Sequence, residues 1–212
     1  MNIVLLGFPG AGKGTQAEML KQEYGFMHVS TGDLIRHEIA QGTPLGKKIE
    51  LLISQGNLAS DEDAVRLLVA AIKDRDDNII FDGFPRTTAQ AEILDKYLAE
   101  NGKRVDEVVL LSMREEVVLK RLTSRRVCSG CGSIYNTTSA DYKEICTKCG
   151  GHLITRPDDT LESAKHRLEV FKKETQPLIE YYQKSGVLKK VDGGGTPHEV
   201  FNKVQETLGL KK

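Results

Sequence analysis

The sequence predicts an α/β fold, a parallel sheet with helices on both faces, and three observations carry that reading. Ile3-Val4-Leu5-Leu6 is a short apolar run closed by Gly7, the pattern of a strand buried on both sides. Runs of this kind alternate along the chain with longer segments of helical periodicity, which is how parallel sheets are connected. One stretch, Val127 to Pro157, breaks the alternation: Cys, Gly, Ser, Thr and Tyr replace the helical period there. It reads as an inserted module of about thirty residues.

Taken in order, the first strand and Gly7 lead into a helix from Lys13 to Tyr24, with Ala17, Leu20 and Tyr24 roughly on one face. Three helices are predicted near 31–41, 44–54 and 60–72. Ser60-Asp61-Glu62-Asp63 supplies the cap of the last one. Asn78 to Asp82 is a second buried strand ending in a carboxylate. Thr87 to Glu100 is a helix with Ala91, Leu94 and Leu98 at core spacing. Val105 to Ser112 is a third strand and Arg114 to Arg126 the next helix, which places Arg121 and Arg125 four apart on one helical face. Asp159 with Glu162 reads as a capping pair that opens a long helix to about Lys184. Val187 to Val191 is a last strand, and Thr196 to Leu208 a last helix.

Thirty basic and thirty acidic residues cancel, so no strong overall field favours a bulk polyanion such as DNA. Apolar residues make up 39% of the chain, enough for one good core with an appendage. The apolar run at the start is too short for a signal peptide or a membrane span. A cytoplasmic, reducing location and thiols that are not disulfides are expected from this. No spare apolar stripe is evident, so the expected state is a monomer. The lysine-rich termini, Arg104 and Arg114 read as solvated surface.

The pattern Gly-x-x-x-x-Gly-Lys runs from Gly7 to Lys13, after a predicted strand and into a predicted helix. Glycines let the backbone curl so that several N–H groups face one anion. The helix N-terminus adds partial positive charge, and Lys13 a full one. The fold is therefore expected to be a P-loop-type sheet holding phosphates. Position 14 is Gly, and the hydroxyl comes one residue later at Thr15. Without a hydroxyl directly after the lysine, a Mg²⁺ ion must rely on nucleotide oxygens, water and a carboxylate. Asp82 is the candidate; its alternative role is a cap or turn former before Gly83.

Two further segments follow predicted strands or open helices: Ser30-Thr31-Gly32-Asp33-Leu34-Ile35-Arg36 and Asp82-Gly83-Phe84-Pro85-Arg86. Together with Gly7-Phe8-Pro9-Gly10-Ala11-Gly12-Lys13-Gly14-Thr15, the chain resembles the adenylate kinase family essentially from end to end. The resemblance implies Mg²⁺-dependent phosphoryl transfer, ATP + AMP ⇌ 2 ADP. It implies a core made of 1–29, 60–126 and 159–212, a helical AMP-binding segment at 30–59, and a lid at 127–158. The implied AMP site uses Thr31, Arg36, the backbone of Asn57, Leu58 and Ala59, then Gly83, Phe84, Pro85, Arg86 and Gln90, with Arg156 and Arg167 between the two phosphate sites. The implied ATP site uses Gly10, Ala11, Gly12, Lys13, Gly14 and Thr15, with Arg121 and Arg125. Ile134 and Tyr135 flank the adenine, and the backbone near Gly194 completes it. Gln90 has a second reading, a capping box with Thr87. Such chemistry needs several cations to bring two polyphosphates together, and Arg is suited because its fork binds oxygens in pairs. Lys13, Arg36, Arg86, Arg121, Arg125, Arg156 and Arg167 supply them, while Arg126 reads as a neighbour.

In the inserted module, Cys128-x2-Cys131 and Cys146-x2-Cys149 are separated by fourteen residues. Two such pairs can close a tetrahedral thiolate site with no open position, which makes the metal structural. A small module with almost no aliphatic core needs such a staple. Zinc is the expected ion and iron the alternative; two disulfides or free thiols are the readings without a metal. His152 reads as a surface residue. Two other functions stay in view: a kinase of UMP, CMP or GMP, and a nucleotide-regulated protein whose ribbon holds nucleic acid. The ribbon's Lys143, Lys148, Arg156, Tyr135 and Tyr142, set against Asp141 and Glu144, make a thin footprint for the latter.

Overall fold

The structure is a computed structural model that describes residues 1–73 and 78–210. Lys211 and Lys212, part of the basic C-terminus, lie outside the described residues. The central sheet is parallel throughout. Strand β1 (Ile3–Gly7) lies in its middle, between β3 (Ile79–Asp82) and β4 (Glu107–Ser112). The edges are β2 (Met27–Ser30), beside β3, and the strand at Leu188–Asp192, beside β4. The register sets Leu5 against Asp82 on one side and Gly7 against Leu111 on the other.

The continuous apolar run of β1 follows from its two faces. Val4 and Leu6 enter one core with Phe81, Leu94 and Tyr182, while Ile3 and Leu5 enter a second with Leu20, Ile80, Val109 and Phe201. Alternate residues thus feed opposite layers, so no position on the strand can be polar. The chain runs from β1 to the edge at β2 and β3, then crosses to β4 on the other side of β1. That reversal opens a crevice at the carboxyl ends of β1 and β3, where open α/β sheets bind ligands.

Helix α1 (Lys13–Tyr24) follows β1 directly. Helices α2 (Thr31–Ala40) and α3 (Pro44–Ser54) form a small arm with its own core of Ile35, Ile49 and Ala59. Ser30 and Thr43 cap them, accepting from Asp33 N and Gly46 N. Helix α4 (Asp61–Ile72) begins at Ser60, as its sequence predicts, and α5 (Thr88–Glu100) at Thr87.

Several details differ from the sequence reading. Strand β2 was not foreseen; Met27-His28-Val29-Ser30 has a single fully buried side chain, Val29, and so no apolar run. Helix α6 (Glu115–Thr123) stops before Arg125. The Ser124 hydroxyl donates to Lys120 O and to Asn136 Oδ1, closing the helix and tying its end to the next sheet. Arg125 therefore begins strand β5 (Arg125–Cys128), and Arg121 and Arg125 do not share a helical face. Strands β6 (Ile134–Asn136) and β7 (Leu153–Ile154) flank β5 in an antiparallel sheet, which gives the inserted module regular structure.

The long helix predicted from Asp159 is in fact three pieces: α7 (Leu161–Val170), a π turn at Phe171–Thr175, and α8 (Pro177–Lys184). Pro177 has no N–H to continue the ladder. Thr160, not Asp159, caps α7 by accepting from Ser163 N. The last elements are β8, the edge strand Leu188–Asp192 already described, and α9 (Pro197–Leu208), which opens with a full capping box of Thr196 and Glu199. No helix among the described residues is long and apolar enough to cross a membrane.

Candidate functional site

The Gly7–Thr15 loop connects β1 to α1 at the crevice. Gly12 sits at φ 99° and no side chain caps α1, so the first N–H groups of that helix are aimed outward. A side chain at position 12 would strain this backbone. Lys13 turns back over the loop, donating to Gly7 O at 2.8 Å and Phe8 O at 3.0 Å. Burial lowers its pKa from 10.5 to about 8; Asp82 opposes the shift, while Arg86, Arg167 and Arg125 add to it.

Asp82 ends β3 beside this loop and accepts from, or pairs with, His28 Nε2 at 3.2 Å. A Cβ added at Gly14 would lie 3.2 Å from Asp82 Oδ2. Gly14 thus leaves room for the carboxylate where a hydroxyl residue would crowd it. Ile134, from β6, is the other near neighbour, 3.9 Å from the same point. The cysteine-bearing sheet therefore lies against the loop.

The arginines converge on the same crevice. Arg86 donates Nε–H to Gly83 O at 2.7 Å, and Thr31 donates its hydroxyl to the same oxygen at 2.6 Å. Phe84 and Pro85 between them are buried and joined by a cis peptide bond. Burial first, then Arg167 and Arg36, bring the Arg86 pKa to about 10, with Asp82 and Asp158 opposing. Burial, then Arg125 and Arg36, bring Arg156 to about 10 as well. Arg167 is likewise lowered by burial, with Arg125 adding and Asp158 and Asp159 opposing. Lys13, Arg36, Arg86, Arg125, Arg156 and Arg167 therefore feel one another's charge. A cation cluster strained in this way is stabilised when a polyanion enters it.

Arg121 reaches the loop from α6, 4.0 Å from where a Gly12 Cβ would stand. Its guanidinium donates to Gly193 O and Gly195 O, which brings the Gly194 segment to the crevice. Gly194 N–H itself is taken by Asp192 Oδ1 at 3.0 Å. Arg36 pairs with Asp33 on α2. Burial would raise the Asp33 carboxyl, but Arg36, Ser30 and, more weakly, Arg156 hold it below its ordinary value. Arg126 Nη1 donates to the adjacent Arg125 O at 2.8 Å.

Asp158 and Asp159 are the residues that sequence reasoning missed. Asp159, with a side chain 0% exposed, receives both Arg125 Nε, at 2.7 Å, and Arg125 Nη2, and pairs with Arg167 Nη1 at 3.2 Å. Asp158 pairs with Arg167 at 3.0 Å. These carboxylates fix two arginines from different elements in one orientation. The only sequence signal was the run Arg156-Pro157-Asp158-Asp159, which also fits a helix cap.

Gln90 is buried and fulfils half of its capping-box reading. Its N–H bonds Thr87 Oγ1 at 3.2 Å, but its Oε1 accepts from Arg86 N at 2.8 Å instead of Thr87 N. Its Nε2 donates to Asp61 Oδ1 at 2.7 Å. On the arm, Asn57 and Leu58 are half-buried and Ala59 buried. Ile134 and Tyr135 diverge, as neighbours on a strand do. Ile134 faces the Gly14 side, while the Tyr135 hydroxyl lies 3.2 Å from Cys146 Sγ and accepts from Thr147 N at 3.0 Å.

The four cysteines gather at one end of the antiparallel sheet. Their sulfurs all lie within 4.8 Å of one another, with Cys128 and Cys149 3.4 Å apart and Cys131 and Cys146 3.5 Å apart. A tetrahedral thiolate site with bonds near 2.3 Å needs sulfurs about 3.8 Å apart. A disulfide needs about 2.05 Å, and all four cysteines are free. Each pair ends in a glycine of positive φ, Gly132 at 72° and Gly150 at 73°, so the two turns repeat one knuckle. The donor set fits a four-thiolate metal ion. His152 is exposed and outside the cluster.

A phosphate loop at the sheet's switch point, facing a ring of arginines, defines a phosphotransferase of the P-loop class. Comparison with known proteins narrows the class. The family model for adenylate kinase matches residues 5–187. Curated adenylate kinases resemble the whole chain: that of Thermodesulfovibrio yellowstonii is 44% identical and covers 100% of both chains. The adenylate kinase of Archaeoglobus fulgidus is 43% identical over 98% of both chains, and that of Clostridium tetani 42% identical over 99% of both. The chain belongs to the adenylate kinase family.

Proposed function

We propose that the chain catalyses reversible, Mg²⁺-dependent transfer of a phosphoryl group from ATP to AMP, giving two ADP. The observation that carries this reading is the cluster of Lys13, Arg86, Arg125, Arg156 and Arg167, whose charges act on one another beside the Gly7–Thr15 loop; we assign its two sides as donor and acceptor. On the donor side are Gly10 to Thr15, with Arg121, Arg125, Ile134, Tyr135 and the Gly194 segment. On the acceptor side are Thr31, Arg36, residues 57–59, Gly83 to Arg86 and Gln90. Arg156 and Arg167 belong to both. In this reading 30–59 is the AMP-binding arm, 127–158 the lid, and the remaining segments the core.

A phosphoryl group in transfer is close to metaphosphate, so positioning and charge neutralisation do most of the work. Lys13 and the α1 N-terminus hold the donor's terminal phosphates. Arg86 and Arg36 hold the acceptor phosphate, and Arg125, Arg156 and Arg167 offset the repulsion between the two. Mg²⁺, when bound with ATP, supplies further neutralisation of phosphate oxygens; Asp82 would hold it through water, beside the space Gly14 leaves. Ile134 of the lid lies beside the loop at Gly14, and closure of the lid there would exclude water from the reacting group. Steady-state rates with AMP, UMP, CMP and GMP test the substrate assignment. AMP is expected to be strongly preferred, and a clear preference for another monophosphate contradicts the reading.

We assign zinc to Cys128, Cys131, Cys146 and Cys149, as a structural ion that staples the lid. Four thiolates leave no position for a substrate. Cys128→Ser with Cys131→Ser is expected to abolish stoichiometric metal and lower the thermal midpoint, while much of the activity persists at low temperature. Tyr135→Phe keeps the thiolates but removes a hydrogen bond to Cys146. Its metal is expected to pass to a chelator at about tenfold lower chelator concentration, the usual scale for an outer-shell partner. Metal loss that stops catalysis while the lid stays folded contradicts a structural role.

A further inference from the structure

The arm and helix α7 meet at one seam, far apart in sequence. His166 Nε2 lies 2.8 Å from Asn57 Oδ1. One residue earlier, Gly56 lies so close to α7 that an added Cβ would stand 3.0 Å from Arg167 Cγ and 3.1 Å from Ser163 Oγ. Gly56 is buried, with φ 83°. The turn at Gly56 and Asn57 is therefore seated on the face of α7 formed by Ser163, His166 and Arg167. Only a residue without a side chain fits at 56.

We infer that His166 is a positioning residue for the acceptor nucleotide: it latches Asn57 to α7 and so fixes the backbone of 57–59. The inference rests on the assignment of 57–59 to the AMP site. Asn57 Nδ2 also donates to Gln55 Oε1 at 3.4 Å, an arrangement in which Oδ1 faces His166. An oxygen acceptor requires a proton on Nε2, which both the neutral Nε2–H tautomer and the imidazolium provide. The latch therefore does not depend on the charge of His166. Glu169, 3.9 Å from Nδ1, is the charged group facing the ring from its own helix. The adjacent Arg167 gives the latch its consequence. The element that carries an arginine of the cation cluster is the same one that holds the arm, so the arm's position and the phosphate ring share one frame.

The test compares His166→Leu, which removes the donor, with His166→Gln, which keeps one. His166 is 42% exposed on its side chain, so both variants should fold. His166→Leu is expected to raise KM for AMP roughly fivefold, the scale of one hydrogen bond, with KM for ATP within about twofold. His166→Gln should recover most of the loss. Asn57→Ala combined with His166→Leu should be no worse than the larger single change, since both remove one interaction. Equal increases for ATP and AMP, or additive losses, overturn the inference. So does an unchanged KM for AMP when AMP still shifts the backbone amide resonances of 57–59; the AMP-site assignment then stands alone. If AMP leaves those resonances unmoved, the assignment itself fails and the latch with it.

Discussion

Lys13→Ala is expected to lower kcat/KM for ATP by about two to three orders of magnitude, the range for losing a principal charge-stabilising donor. The fold should be untouched, and the reason is electrostatic. Burial lowers the Lys13 pKa from 10.5 to about 8, so the native state binds that proton less tightly than the unfolded chain does. Between about pH 8 and pH 10.5 this group makes stability rise with pH, and at pH 7 its charge is a burden on the native state. Removing the charge costs activity and not stability, so the thermal midpoint should stay level or rise. In the unaltered chain the same shift has a kinetic signature. The free protein loses the ammonium above about pH 8, so kcat/KM for ATP should fall there. Bound phosphates restore the proton, so kcat should hold to higher pH. A near-normal rate for the alanine variant contradicts the role given to Lys13.

Asp159→Asn is expected to have the largest effect on stability. Its carboxylate is completely buried and holds Arg125 by two contacts and Arg167 by one. Breaking a buried pair by removing one partner leaves charge uncompensated and costs about 3–5 kcal/mol. For a chain of this size that corresponds to a fall in thermal midpoint on the order of 10 °C. The rate should fall as well, because Arg125 and Arg167 lose the group that orients them toward the crevice. Asp158→Asn should be milder: among the described residues Asp158 forms one ion pair, with Arg167, and is 14% exposed on its side chain. Denaturant melts of the two variants decide the matter. A loss below about 1 kcal/mol for Asp159→Asn, with kcat intact, contradicts the role of this pair, since that is the range of a surface ion pair.

What could be read from the sequence was whatever local chemistry dictates. The β1 run, the loop glycines and Lys13 form one contiguous signal, and both cores on either side of β1 follow from it. The Cys-x2-Cys pairs are local too, and their knuckles form in matching geometry. Contacts between distant segments were not legible. Asp159 was read as a cap because a carboxylate before a helix usually is one, yet Thr160 does that work and frees Asp159 for arginines from elsewhere. Arg125 was placed on the helix predicted from Arg114 to Arg126. The hydroxyl of Ser124 ends that helix by competing for its carbonyls, an effect decided partly by Asn136 across the sheet. Strands of four, three and two residues in the inserted module carry too little periodicity to recognise. Tyr135 shows the same limit: alternation along a strand sends its hydroxyl to Cys146 and its neighbour Ile134 to the loop.

The central claim is that the cation cluster delivers the phosphoryl group to a second nucleotide and not to water. Phosphorus NMR of a mixture of ATP, AMP and Mg²⁺ with the purified protein tests it most directly. The expected result is two ADP formed for each ATP consumed, equal loss of AMP, and no inorganic phosphate beyond the background rate. Formation of inorganic phosphate at the rate of ATP loss, with AMP unchanged, would contradict the account.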